Sequence, residues 1–305
     1  MKILITGGAG YIGTELTYEL ETLPGIEEIR IYDNLSRGNF NFFIGHKKFD
    51  NNVRFIHGDL LDTRKLKHAL EGVDVVYHLA AKVTTPFADQ DPNLFEQINH
   101  WGTAELVYAV EDSSASKFVY VSSASVYGAS AEQVSVETPP NPTTFYGISK
   151  LRGEEHVNRL FDSNIDTYII RCGNVYGYNK SMRFDSVINR FVFQTNFKNR
   201  ITIDGDGEQH RSFIHIDKTA DILARIAEGG LAQGKYDLVE DTLSINYIAD
   251  TLKGIHPDLE LLYVNQRLKL HQLKVKADPA INSLTRIEVR TLKQVLAEFL
   301  EEFTF

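Results

Sequence analysis

The sequence is poor in cysteine: among 305 residues there is one, Cys172. A single thiol excludes an internal disulfide and suits a reducing compartment. Long apolar runs are missing too, and no uninterrupted stretch approaches the roughly 20 residues a membrane-spanning helix needs. The run at Met1–Ile5 breaks at Thr6-Gly7-Gly8, which fits the edge of a core strand rather than a leader. Positive charge is not in excess. A net charge of −9 argues against broad binding to nucleic acid or an anionic membrane, while leaving room for a local basic pocket. No HExxH, CxxC or comparable ligand set occurs, so no metal is expected. What remains is an ordinary globular balance, in a chain long enough for one large core or two lobes around a cleft. The expectation is a soluble, cytoplasmic protein.

What is present is a rhythm. Short β-branched runs occur at Ile3–Thr6, Ile29–Asp33, Val53–His57, Val73–Leu79, Phe118–Ser122, Thr167–Arg171 and Tyr236–Val239. Helical patterns lie between them at Ile12–Leu20, Thr63–Leu70, Phe95–Val110 and Tyr146–Leu160. Strands rich in Val and Ile with little polar alternation are buried on both faces, and strand–helix alternation implies parallel pairing with right-handed crossovers. This predicts an α/β fold built on a doubly wound parallel (Rossmann) sheet, with ligands beyond the carboxyl ends of its strands. After Gly173 the rhythm changes to a helix at Phe184–Thr195, a strand at Ile201–Ile203 and a helix at Val289–Phe303. Residues 1–172 are expected to hold the cofactor, with return segments within 212–240 near Ile214–Ile216 and Tyr236–Val239. Residues 173–305 are expected mainly as a smaller C-terminal substrate-binding lobe.

GGAGYIG (Gly7–Gly13) follows the first strand and opens the first helix, the context a dinucleotide fingerprint requires. Gly7, Gly10 and Gly13 permit a tight turn, close approach of a pyrophosphate, and close helix–sheet packing. The helix N-terminus then offers N–H groups to the phosphates. A plain tight turn reads the same way, but Asp33 closes the second strand 20 residues past Gly13, where a carboxylate accepts both ribose hydroxyls of NAD and repels a 2′-phosphate. Arg37 close by would suit NADP; NAD is favoured. Asp59, in HGDL, is placed either to meet the adenine or to cap a helix over Leu61–Leu70. In HLAAKV, Ala80 and Ala81 let a flat cofactor lie against the backbone, or simply pack.

YGISK puts Tyr146 and Lys150 one helical turn apart on one face. An ammonium beside a phenol favours phenolate, making the tyrosine a usable acid or base near neutrality. Ser123, in the turn SSASVYG, is placed to hold the same substrate oxygen. Ala124-Ser125 give this turn no carboxylate.

Taken in order, GGAGYIG, YDNLSRG, HGDL, HLAA, INHWGT, SSASVYG, YGISK, RCGNVYG and DGEQHRSFIHID are similar to the motifs of the extended short-chain dehydrogenase/reductases. Within them the chain resembles the NAD-dependent nucleotide-sugar epimerase/dehydratase group, over roughly residues 1–240. The resemblance implies Ser123, Tyr146 and Lys150 as the catalytic set. It implies cofactor contacts from Tyr11, Ile12, Asp33, Asn34, Asp59, Leu60, Leu79, Ala80, Ala81 and Asn99, besides the glycines and the catalytic residues. It implies that Asn174 and Arg211 contact a sugar nucleotide's diphosphate, UDP being favoured, with Arg183 a further phosphate candidate. A guanidinium fork suits phosphate oxygens, although a salt bridge is the plainer use of Arg211. His210 and His215 are read as ordinary polar residues.

Dehydratases of this kind carry acidic residues where this chain has Ala124-Ser125, and SSASVYG looks like the turn of UDP-galactose 4-epimerases. The resemblance therefore implies an epimerase that oxidises a sugar transiently at C4. A 4-keto-sugar reductase with the same three residues and a non-catalytic dinucleotide sensor are the alternatives. Relatives commonly dimerise through the helices holding Asn99 and Tyr146, which implies a homodimer. Two departures stand out: Ser212 replaces a common Asp, and the region from about Leu259 lacks the usual Leu-Gly-Trp/Phe-x-Pro signature.

Overall fold

The computed structural model describes residues 1–38, 40–44, 49, 52–83, 91–265, 267 and 272–303. The chain begins with β1 (Lys2–Thr6), α1 (Tyr11–Glu21), β2 (Glu28–Asp33), β3 (Val53–His57), α2 (Thr63–Ala69) and β4 (Val75–His78). A long helix follows in three parts: α3 (Pro92–Phe95), a π-helical turn (Glu96–Trp101) and α4 (Gly102–Glu111). Next come β5 (Lys117–Ser123), a 3₁₀ turn (Ala124–Tyr127), β6 (Gln133–Val134), α5 (Phe145–Val157) and β7 (Asp166–Cys172). The remainder holds β8 (Asn174–Tyr176), α6 (Val187–Lys198), β9 (Arg200–Asp204), β10 (His210–His215) and α7 (Ile216–Glu228). It ends with β11 (Gly234–Leu238), β12 (Asp241–Ser244), α8 (Ile245–Ile255), β13 (Glu260–Val264), β14 (Lys274–Val275), α9 (Pro279–Asn282) and α10 (Leu292–Glu301).

Seven strands pair in parallel in the order β11-β7-β5-β4-β1-β2-β3. The Val and Ile runs are buried on both faces because helices cover both. Leu16, Leu20, Ile222 and Ile226 pack on one face of the sheet, and Leu66, Leu106, Val110 and Leu160 on the other. Strand order reverses between β1 and β4, and the crevice of such a sheet opens at that switch point.

The later segments build three small sheets, β12-β10-β8, β13-β9 and β14-β6. Of the two expected return segments, the one at Tyr236–Val239 pairs with β7 at the edge of the main sheet as β11. The one at Ile214–Ile216 packs against a face of that sheet without joining its pairing: β10 pairs with β8 and β12, Ile214 is buried with the sheet's core, and α7 starting at Ile216 lies beside α1. A second core gathers Phe191, Ile203, Phe213, Ile248, Leu296 and Phe299. Tyr11 joins it from the start of α1 and donates its hydroxyl to the Gly177 carbonyl at 2.6 Å, tying the cofactor loop to this core. The last helix starts later than its apolar pattern, because Thr291 and Gln294 form a reciprocal capping box. Similarly, α6 starts at Val187, after Arg183 and Asp185 have paired in the preceding loop. Among the described residues no helix is long and apolar enough to cross a membrane.

Candidate active site

The crevice begins where β1 ends. Gly7 takes a φ of +71°, and a Cβ built there would lie 2.5 Å from the Ala80 nitrogen. Only glycine lets the turn press so closely against the end of β4. Gly10 then leads into Tyr11, Ile12 and Gly13, the first turn of α1, which has neither a side-chain cap nor an acidic residue. Such an end is open to an anion. Asp33 closes β2 with its Oδ2 accepting from the Ala9 N–H (3.1 Å) and its Oδ1 from the Leu35 N–H (2.8 Å). Burial raises its pKa against these bonds and the charge of Arg37. Asn34 donates to Asp59 Oδ2 at 2.8 Å. Asp59 is not the helix cap: that is Asp62, whose side chain accepts from the Lys65 N–H at 3.1 Å. Two residues separate the two aspartates, and α2 starts only at Thr63, which leaves Asp59 exposed beside Asn34 while Leu60 is buried.

The opposite wall comes from β4. His78 is fully buried between the Thr6 (2.7 Å) and Thr103 (2.9 Å) hydroxyls, and burial pushes its pKa well down, so it is neutral. The Leu79 N–H donates to the Thr6 carbonyl at 3.0 Å, and Ala80 and Ala81 follow, half-buried. Asn99 sits in the π-helical turn. Its Oδ1 accepts from the Lys82 N–H (2.7 Å), and its Nδ2 donates to the Lys82 carbonyl (2.9 Å) and to Ser149 Oγ (3.0 Å). Its amide is thus engaged in clamping the loop after β4 to α5. A glycine turn, an uncapped helix, a carboxylate at the end of β2 and a small-residue wall fit a dinucleotide.

Ser123, Tyr146 and Lys150 converge although they come from different elements. Ser123 ends β5 beside Cys172 of β7 and begins the 3₁₀ turn, its Oγ accepting from the Ser125 N–H at 3.1 Å. Thr144 caps α5 through the Gly147 N–H at 3.1 Å. A Cβ on Gly147 would lie 2.5 Å from the Ser125 carbonyl oxygen, so the bare backbone lets α5 dock directly on the turn. That contact sets the Ser123 hydroxyl beside the Tyr146 phenol, close enough to bear on its titration. Lys150 is 2% exposed, its Nζ 4.2 Å from the Tyr120 ring centroid.

The electrostatics differ from the expectation. The phenol of Tyr146 is pushed up, because burial outweighs the Ser123 hydroxyl and the charge of Arg183. Lys150 shares its helical face but lies over Tyr120 and is itself pushed down to about 7 by burial, against the favourable charge of Glu154. Spacing put both groups on one face; burial then penalised both charged forms. The Cys172 thiol is pushed up to about 12 by burial and is inert as a nucleophile.

On the far side, Asn174 Nδ2 donates to the Ser212 carbonyl at 3.0 Å. Arg183 forks onto Asp185 (Nε–Oδ1 3.1 Å, Nη2–Oδ2 2.6 Å), and its charge reaches both Arg37 and Tyr146, which sets it along the crevice. Arg211 is half-buried, and burial lowers its pKa. Ser212, at the position where an aspartate was expected, is buried: its Oγ bonds Thr242 Oγ1 at 2.7 Å and accepts from the Val275 N–H at 2.8 Å. His215 caps α7 through the Asp217 N–H at 3.3 Å.

A buried network behind the three convergent residues was not foreseen. Ser122 donates to Glu154 Oε1 at 2.6 Å, and Arg171 bonds both Glu154 oxygens at 3.1 and 2.8 Å. Arg171 Nη1 also donates to the Tyr127 hydroxyl at 3.0 Å, which donates to Asp237 Oδ1 at 2.8 Å. Glu154 was findable, one helical turn past Lys150 on the same face. Asp237 was not, since it arrives only through the pairing of β11 with β7.

The chain matches the model of the "NAD dependent epimerase/dehydratase family" over residues 3–238. It is 33% identical to the uncharacterized UDP-glucose epimerase YtcB of Bacillus subtilis (strain 168), covering 80% of this chain and 76% of that one. It is 26% identical to the mouse (Mus musculus) dTDP-D-glucose 4,6-dehydratase, covering 89% and 83%. A solved structure of UDP-glucuronic acid 4-epimerase from Bacillus cereus, with UDP-glucuronic acid and NAD, superposes with a TM-score of 0.85 at 27% identity over 100% of both chains.

Proposed function

The chain belongs to the NAD dependent epimerase/dehydratase family, with NAD as its cofactor, and we propose that it epimerises a nucleotide-diphosphate sugar, a UDP-sugar foremost, at C4. The observation that carries this reading is the turn beside Tyr146. It presents the Ser123 hydroxyl, while buried Ala124 and half-buried Ser125 stand where an eliminating enzyme needs an acid for the departing hydroxyl. The relatives include epimerases and dehydratases, and this turn favours the former.

In this reading residues 1–172 hold NAD and residues 173–305 hold mainly the sugar nucleotide. Gly7, Gly10, Gly13 and the start of α1 receive the pyrophosphate, Asp33 the adenine ribose, and Ala80 and Ala81 the flat part of the cofactor. NAD held by these residues would supply the hydride acceptor and donor for the sugar carbon. Ser123 holds the C4 oxygen, and Tyr146 takes its proton and gives it back. Burial keeps the free phenol protonated; Ser123, Arg183 and the positive charge that oxidised NAD brings act toward phenolate. Asn174, Arg183 and Arg211 anchor the diphosphate while the oxidised sugar turns over. We also propose a homodimer through the face of the π-helical turn, α4 and α5 that exposes Trp101 and Tyr108; light scattering of the wild type tests it.

The test is conversion. Purified protein is incubated with UDP-glucose, UDP-galactose, UDP-glucuronic acid and the N-acetylhexosamine forms, without added NADH. Interconversion of a C4 pair is expected. Release of water from the sugar, turnover only with supplied NADH, or no conversion of any of them overturns the reading.

A further inference from the structure

The three convergent residues share no element: Ser123 belongs to β5 and its turn, Tyr146 and Lys150 to α5. Something must fix one against the other. Four of the five members of the buried network lie close to the convergent residues along the chain or across the sheet. Ser122 precedes Ser123, Tyr127 ends the turn that Ser123 begins, and Glu154 lies one helical turn beyond Lys150. Arg171 precedes Cys172, which pairs in register with Ser123. Arg171 and Glu154 are 3% and 1% exposed, and the Arg171 guanidinium also lies 4.9 Å from the Tyr127 ring centroid. A buried ion pair adds little to stability compared with an apolar pair of similar volume, so its use here is sought in geometry rather than in stability.

We propose that Glu154 and Arg171, with Ser122, Tyr127 and Asp237, are positioning residues that lock the Ser123 turn to the helix carrying Tyr146 and Lys150. The proposal rests on the reading of Ser123 and Tyr146 as the proton-handling pair. Glu154 accepts from β5 and β7 at once, while Tyr127 carries the connection from the turn to β11. Glu154 acts on Lys150 as well, since its charge favours the ammonium. The other groups around Lys150 are Tyr146 from its own helix, Tyr120 from β5, His78 from β4 and Cys172 from β7.

The double variant E154Q/R171M tests this, because it removes both charges and leaves neither buried alone. With the best-converted UDP-sugar, kcat is expected to fall ten- to a hundredfold, with KM and retained NAD within about threefold of wild type. Without the Glu154 charge the Lys150 ammonium is lost at lower pH, so the high-pH limb of the kcat profile is expected to move down. Unchanged kcat, or an equal loss with no change in the profile, overturns the proposal. If the double variant does not fold, Tyr127→Phe decides: a three- to tenfold loss in kcat supports the proposal and a loss under twofold overturns it. If the wild type converts no sugar, the function reading has failed by itself. Crystal structures of wild type and double variant then decide the positioning role: an unchanged placement of the Ser123 hydroxyl against the Tyr146 phenol overturns it, and a displaced one supports it.

Discussion

The two sides of the crevice are held by different kinds of structure. On the side proposed for the cofactor, Gly7, Asp33, Leu79 and Ser123 all stand at or just past the carboxyl ends of strands of one seven-stranded parallel sheet. On the side proposed for the substrate, Asn174 and Arg211 belong to a three-stranded sheet, and the strands nearby pair across long stretches of chain, β6 with β14 and β9 with β13. The first side rests on one continuous sheet. The second is assembled from short strands and single side-chain bonds such as Ser212 to Thr242, and Tyr11 ties the two together through the Gly177 carbonyl.

The comparison makes predictions that differ in size. Replacing Tyr146 with Phe attacks the chemistry alone. Turnover is expected to fall by about 10²–10⁴-fold, while NAD and UDP-sugar still bind by equilibrium dialysis. Loss of NAD would instead mean that the two functions are not separable.

Lys150→Met should cost turnover too, yet stabilise the fold. The folded-state pKa of Lys150 is lowered to about 7, so below pH 7 the folded chain bears the full cost of burying an ammonium. That cost fades as pH rises toward the unfolded value of about 10.4. The variant is therefore expected to be more stable by on the order of 2–4 kcal/mol at pH 7, with the advantage gone above pH ~10.4 in urea titrations.

Arg211→Met bears on the other side. A phosphate anchor used equally in ground and transition states gives a KM raised about tenfold with kcat within about threefold. A fall in kcat alone would move Arg211 into the chemistry. The smallest effect is expected at Ser212→Ala, which leaves the Val275 N–H without its acceptor. A loss of about 1–3 kcal/mol of stability is expected, with NAD binding unchanged.

The main sheet was legible because burial on both faces writes itself as apolar runs, as at Ile3–Ile5 and Phe118–Val121. Glycines whose missing side chain answers a single close approach, such as Gly7 against Ala80, were legible for the same local reason. Asp62 was overlooked as the cap of α2 in favour of Asp59, although the helical pattern beginning at Thr63 puts Asp62 immediately before it. The i, i+4 spacing of Tyr146 and Lys150 foretold a shared face but not how deeply each is buried, and burial set the direction of both shifts. The β6–β14 pair escaped notice because a two-residue strand has no period, and the role of Ser212 depends on Thr242 and Val275, which only the fold brings near.

The most direct test uses UDP-glucose carrying deuterium at C4, incubated with the protein and no added NADH, with products followed by NMR. Proton exchange through Tyr146 and return of the same hydride predict UDP-galactose that keeps its deuterium on C4. A product with a methyl group at C6, or deuterium lost in proportion to supplied NADH, would contradict the account.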